Sequence, residues 1–337
     1  MTKLSQSRPA GLDASAGASK ITGLWSRTWP LLIGLMVTIS LVIASLFIGV
    51  YDLNSEGGGE MFWITRVPRT IALILSGASM AVVGLIMQLM TQNRFVEPST
   101  TGTIEWAGLG LILTYVIVPQ PSLTLRMIVA IVFSLIGTLI FFGFLQRVAL
   151  KSSLVVPIVG LMLGAVVGAV STFVALQTDM LQNLGIWFAG SFTSVTKGRY
   201  ELLWIVALMT IIVYFIADRF TVAGLGQEIA TSVGLNYRAV VLTGILIVAV
   251  VTGVVSVVVG SLPFLGLVVP NIVSMFRGDN LRSNLPWVML VGIVVITLTD
   301  IIGRTIIMPF EIPVSMILGV LGATVFVYLI VKRGRRG

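Results

Sequence analysis

The sequence predicts an all-α membrane protein with ten transmembrane helices, and three observations carry that expectation. Of 337 residues, 57% are hydrophobic and only 10% charged, with a mean hydropathy of +1.06, far from the balance of a soluble domain. The apolar residues gather into runs that suit a bilayer core, which takes about 20 such residues per helix. Ten runs of this kind leave only short connections, so no soluble domain fits between them.

In the first half the runs lie at 29–50, 67–90, 98–118, 123–146 and 153–177; in the second they lie at 201–217, 238–259, 265–277, 285–304 and 313–331. Pro263 and Pro270 interrupt the stretch from Gly260 to Arg277, so its helix is expected to be short or broken. Residues 1–28 are rich in Ser, Ala and Gly, carry Lys3, Arg8 and Lys20, and lack a cleavable signal pattern. They are expected to form a disordered cytoplasmic arm, with 29–337 as the transmembrane domain.

Ten spans put both termini on one side, and basic residues select that side as the cytoplasm. With the N-terminus inside, 15 of the 21 basic residues are cytoplasmic. The exceptions are Arg66, Arg69, Arg126, Lys197, Arg199 and Arg304. The net charge of +8 therefore reflects topology, and no nucleic-acid partner is expected. Ser76-Gly77 followed by Gly84, and Thr252-Gly253 followed by Gly260, open helices of opposite direction and hint at an inverted repeat. Gly160, Gly164 and Gly168 form a smooth stripe, which suits either close helix packing or the border of a wide pathway.

The chemistry is narrowed by what is missing. There is no cysteine and no histidine, so thiolate ligation is excluded and the commonest transition-metal ligand is absent. No metal site, catalytic constellation or Walker A motif appears. If ATP drives transport, a partner binds it with its Mg, and this chain binds no cofactor. A partner needs a docking surface, and the segment from Asp218 to Arg238 offers one. Gly224 and Gly226 predict a turn, Gln227–Val233 a short helix, and Gly234 its end. An ordinary interhelix loop is the plainer alternative.

Five ordered motifs resemble the FecCD family of permeases, which serve uptake of iron–siderophores, haem and vitamin B12. They are RVPRTIALILSGASMAVVG at 66–84, QNRFVEPSTTG at 92–102, LGQEIATSVGL at 225–235, GSLPFLGLVVPNIVSMF at 260–276 and TDIIGRTIIMPFEIPVSMILGVLGATVF at 299–326. The resemblance implies a BtuC-like, type II ABC importer permease fold in the bacterial cytoplasmic membrane. It also implies a second permease subunit (the same chain or a homologue), two cytoplasmic ATPase subunits and an extracytoplasmic solute-binding protein.

By that resemblance Leu225, Gly226, Glu228, Gly234 and Leu235 belong to the ATPase-coupling loop. Arg66, Arg69 and Arg304 match positions that receive carboxylates of the binding protein, where Arg forks suit reversible docking. Snorkelling, or pairing with Asp300 or Glu311, is the structural alternative. Asn93 and Phe95, with Ser152 and Ser153, match the cytoplasmic gate. Asn93-Arg94 replaces the family's frequent Asn-Pro, and Glu105-Trp106-Ala107 replaces a Ser-Asn-Gly-like stretch. These departures look like the subgroup for catecholate-type siderophores, with haem or cobalamin as alternatives. An intramembrane acid such as Glu105 costs about 2.5–3.5 kcal/mol at a helix centre, so an interhelix hydrogen bond is expected for it ahead of a substrate contact. An ion-coupled secondary transporter would need more such groups, and a passive channel would need a filter motif.

Overall fold

The computed structural model describes residues 14–49, 58–147, 155–278 and 280–334, and every regular element among them is helical. Helix α1 (Ala14–Phe47) is followed by a single turn, α2 (Gly58–Met61), which passes through a π-helical turn at Phe62–Arg66 into α3 (Val67–Met90). The first half continues through α4 (Thr103–Ile117), α5 (Leu123–Arg147), α6 (Val155–Gln177) and α7 (Leu181–Phe188). The second half holds α8 (Trp204–Ala223), α9 (Gln227–Ser232), α10 (Tyr237–Val258), α11 (Leu265–Arg277), α12 (Leu281–Thr305) and α13 (Val314–Gly334).

Each of the ten apolar runs is helical for most of its length. Seven helices among the described residues are long and apolar enough to cross a membrane, while α4, α11 and the Val314–Tyr328 part of α13 are shorter apolar helices. The 15 residues of α4 and the 13 of α11 rise only about 22 and 20 Å, less than the roughly 30 Å of hydrocarbon. The expected short helix after Gly260 is therefore present, and α4 is shorter than the sequence indicated. At the N-terminus the outcome differs from expectation: helix α1 begins at Ala14, so residues 14–28 are helical instead of a disordered arm. Ala14, Ala16 and Ala18 favour that continuation. The expectation for residues 1–13 lies outside the described residues.

Helices α3 and α10 form the centre. In the apolar windows of Gly58–Met90 and Tyr237–Val258, 78% and 72% of residues are buried, against 11% for α1. Each central helix is packed by the two helices that follow the other: α3 by α11 and α12, α10 by α4 and α5. Glycines allow the approach. A Cβ on Gly77 would lie 2.9 Å from the Gly292 carbonyl oxygen, and one on Gly253 would lie 2.8 Å from the Ile131 backbone. Gly77 and Gly253 thus do the same work in α3–α4–α5 and α10–α11–α12. Gly84 and Gly260 do not correspond as closely, because Gly84 meets Gly266 whereas Gly260 meets Trp187 and Gly190.

Both short helices begin at a residue with positive φ: Gly102 at 79° and Phe264 at 62°. Inside α11, Pro270 cannot donate to the carbonyl four residues earlier. That carbonyl, on Gly266, instead accepts a hydrogen bond from Gln88 Nε2 at 3.1 Å, so a polar side chain of α3 satisfies the group that the proline frees.

Candidate functional site

The linker between α3 and α4 is not helical for most of its length, yet it is buried: Val96 and Glu97 are 0% exposed and Thr101 is 1% exposed. Irregular backbone at membrane depth is tolerated only when protein covers it. Gly84, whose missing Cβ admits Gly266, lies six residues before the end of α3, or about 9 Å along the helix. The linker and the start of α11 meet at that depth. Arg94 O accepts from Asn271 Nδ2 at 2.8 Å. Glu97 Oε1 accepts from the Phe264 N–H at 2.7 Å and also from the Ser99 hydroxyl.

Glu97 escaped the sequence reading, although a signal was present. In E-P-S-T the Glu97 N–H donates to Thr100 Oγ1 at 2.9 Å, a capping arrangement that an acid followed by Pro and then Thr can announce. The turn so formed presents its carboxylate to the first residues of α11. The linker is therefore joined to α11 and its N-cap at two points, Arg94 to Asn271 and Glu97 to Phe264, beside the α3 bond from Gln88 to Gly266.

The gate candidates fall on this linker. Asn93 and Phe95 are each 3% exposed; the Phe95 N–H donates to Asn93 Oδ1 at 3.0 Å, and the Phe95 ring meets Phe326 of α13 edge-on, 5.5 Å between centroids. Asn93 also lines a cavity of about 290 Å³ together with Gln88, Gln92 and Leu225. Ser152 and Ser153 lie outside the described residues.

The glycine stripe divides. A Cβ on Gly160 would fall 2.2 Å from Thr100 O, and one on Gly164 would fall 3.1 Å from Gly102 Cα, whereas Gly168 has open space around it. Close packing on the linker thus accounts for the first two. The expected interhelix hydrogen bond of Glu105 is absent: its buried Oε2 has no hydrogen-bond partner among the described residues. The carboxylate instead lies against Gly164, about where a side chain there would need the space.

At the end of α3 that carries its N-terminus, the pairing alternative holds for two of the three arginines. Arg69 Nε and Nη2 donate to Asp300 Oδ1 at 3.2 and 2.7 Å, and its Nη1 and Nη2 reach Glu311 Oε1 and Oε2 at 3.0 and 2.8 Å. Arg304 is 5% exposed. Its Nη2 donates to Ser45 Oγ at 2.6 Å and lies 2.8 Å from Asp300 Oδ2. That last contact lacks hydrogen-bond alignment, since Oδ2 accepts none, so the attraction there is coulombic. Arg304 is therefore a buried structural group and cannot serve as a direct docking contact. Arg66 donates to Leu46 O and Phe47 O at 2.9 and 3.2 Å, holding the end of α1.

Arg66, Arg69, Thr193, Arg304 and Glu311 line a cavity of about 520 Å³. Burial pushes the Glu311 carboxyl upward, but the hydrogen bond and charge of Arg69 outweigh it and hold the group below the ordinary carboxylate value. Another unexpected basic residue, Arg126, is accounted for by Tyr115, whose hydroxyl accepts from its Nη1 at 2.7 Å.

At the other end of the bundle, α9 has the predicted form. Gly226 precedes it at φ 105°, and Gly234 follows it at φ 83°. The Leu235 N–H reaches Ala230 O and the Gly234 N–H reaches Thr231 O, both at 3.0 Å; the paired bonds and the left-handed glycine make a Schellman end. Ala230 faces inward, while Leu225, Ile229 and Val233 are 57%, 50% and 67% exposed. Glu228 is exposed beside them. The turn before α9 touches α3, because Gln92 Nε2 donates to Gly224 O at 3.4 Å and a Cβ on Gly224 would meet Leu89 at 2.8 Å.

Comparison with known proteins now adds identity. The FecCD transport family model matches residues 30–332. The petrobactin import system permease protein FatD of Bacillus anthracis is 57% identical over 311 residues, covering 92% of each chain. YclN of Bacillus subtilis, a petrobactin import system permease protein, is 41% identical and covers 88% of this chain and 96% of its own. A solved structure described as an inward-facing metal-chelate type ABC transporter superposes with a TM-score of 0.77, at 23% identity, over 90% of this chain and 98% of that one, and shows the shared fold. With the family model spanning nearly the whole helical bundle, this chain belongs to the FecCD transport family and is a membrane permease.

Proposed function

We propose that this chain is the membrane-spanning permease subunit of an ABC importer that brings a ferric siderophore, catecholate in type, into the cytoplasm. The observation that carries the reading is the 57% identity over 92% of the chain to a petrobactin import system permease protein. The complex has a second permease subunit, two ATPase subunits that bind ATP and Mg, and an extracytoplasmic binding protein. Both termini are cytoplasmic, in the bacterial plasma membrane. Uptake of radiolabelled ferric petrobactin in a strain lacking the native permease tests it: restored uptake is expected, and uptake of haem or cobalamin alone would refute the siderophore assignment.

In this reading α9 seats on an ATPase through Leu225, Ile229 and Val233, with Glu228 at the rim. Movement of the seat passes to α3 through Gly224 and Gln92, and on to Asn93 and Phe95, which gate the path. Ile229→Asp is expected to weaken co-purification of the ATPase about tenfold, or about 1.4 kcal/mol, without lowering permease yield. Unchanged capture would remove α9 from the interface.

At the outer cavity, Arg66 and Arg69 receive the binding protein's carboxylates, with Arg304 acting only through Asp300. Charge reversal at Arg66 or Arg69 tests docking, with permease yield measured beside it, because Arg66 also holds the end of α1 and Arg69 also holds Asp300 and Glu311.

The unpartnered Oε2 of Glu105, like that of Glu97, is a feature that would suit ion coupling. Under the ATP-driven reading, Glu105→Gln keeps uptake near the wild-type rate. Loss of uptake with retained ATPase binding would favour the coupled alternative.

A further inference from the structure

A second groove, of about 780 Å³, lies between the ends of α5 and α10 and beneath α9. Its mouth carries Gln146, Asn236 and Arg238, and its floor carries Leu139, Phe142 and Ile245. From Gln146 to Leu139 the floor descends about 10 Å along α5, and from Tyr237 to Ile245 about 12 Å along α10. A groove with a polar mouth at the level of the helix ends and an apolar floor at membrane depth matches one chemical form, an amphiphile with an acyl chain laid along the floor.

The charge selects the headgroup. No carboxylate lines the groove, and Arg238 makes no ion pair among the described residues, whereas Arg282 is paired with Asp218. Arg147, exposed at the end of α5, adds a second positive charge nearby. The groove also faces away from the proposed ATPase seat. Gln227 and Thr231, one turn apart, line it, while Ile229 lies about 200° around the helix from Gln227 at 100° per residue.

We propose that this groove is a binding site for one anionic phospholipid, whose headgroup lies at Arg238 and one of whose two acyl chains lies on α5 and α10, so that lipid steadies α9 against the bundle. Gly143 leaves the floor open: it lines the groove, and a Cβ added there would meet nothing within 4 Å. A large side chain at this position starts from a Cβ free of contact and occupies space that lipid would take.

The test is native mass spectrometry of the full chain in detergent, titrated with phosphatidylglycerol or phosphatidylcholine of the same acyl chains. Wild type is expected to retain phosphatidylglycerol preferentially. Arg238→Gln should reduce that retention about fivefold, as follows from about 1 kcal/mol per basic residue near a lipid surface. Gly143→Trp should abolish it while leaving the melting temperature unchanged, and Arg219→Gln, an exposed basic residue that does not line the groove, should leave retention unchanged. Equal retention of the two lipids, an R219Q loss equal to that of R238Q, or undiminished retention in G143W would each overturn the site in favour of unselective surface lipid or another occupant.

Discussion

Asp300→Asn is expected to destabilise the protein by about 3–5 kcal/mol, the usual consequence of removing one partner from a buried ion pair. The Asp300 side chain is fully buried and sits between Arg69 and Arg304, whose side chains are 14% and 6% exposed. Without its charge, Arg304 keeps only Ser45 and backbone carbonyls, while Arg69 keeps Glu311. One of the two guanidinium groups, that of Arg304, would then be buried with no carboxylate in contact at the junction of α1, α3 and α12. The melting midpoint of detergent-purified D300N should fall far more than that of Glu311→Gln, because Glu311 is partly exposed and its loss leaves Arg69 paired. Equal midpoints for D300N and wild type would show that the network contributes little.

Glu311 supplies the pH dependence of the same cluster. Its folded-state value lies below the ordinary 4.5, so its contribution is present above that value and is lost as pH falls through the depressed one. Wild type should lose stability across that acidic window, whereas E311Q should show a smaller loss there. Identical acid profiles would mean that the Arg69–Glu311 contact does not persist in solution.

How far the fold was legible follows from what hydropathy encodes. Segments such as 67–90 and 123–146 appear within one residue of their predicted limits because a bilayer span is specified by composition over a long window. The short helix α9 was legible for a different reason: Gly226 and Gly234 fix its ends by backbone conformation alone. The turn α7 and the π-helical Phe62–Arg66 were not, since each depends on tertiary packing that leaves no periodic trace. In α1, favourable propensity in residues 14–28 was masked by the Ser- and Gly-rich composition that also suits a flexible arm.

The site was legible in part. The pairing of Arg69 with Asp300 and Glu311 spans more than 200 positions of sequence, and the sequence offered it only as one of two uses for a basic residue. Glu97 was hidden because its partner is a backbone N–H of Phe264, whose identity a sequence motif does not constrain. Glu105 shows the opposite failure. Burial of a carboxylate implied a hydrogen bond, and the Gly164 notch supplied space without a donor.

Gly84→Ala should abolish uptake although alanine is the better helix former by about 1 kcal/mol. An added Cβ would fall 2.1 Å from Gly266 O and 2.3 Å from Gly266 Cα, where the obstructing atoms are backbone and cannot swing aside. Helices α3 and α11 would have to separate, at a cost of about 1–3 kcal/mol. Separation would also stretch the Gln88–Gly266 and Glu97–Phe264 bonds that fasten α3 and the linker to α11. Gly143→Ala makes the same chemical change in α5 with nothing within 4 Å of the new methyl, so it should be neutral or stabilising and should transport normally. Measuring both variants for melting temperature and uptake separates helix propensity from contact. If G84A melts and transports as G143A does, the backbone contact at Gly266 does not hold α3 to α11, and the linker bearing Asn93 and Phe95 is free of α11.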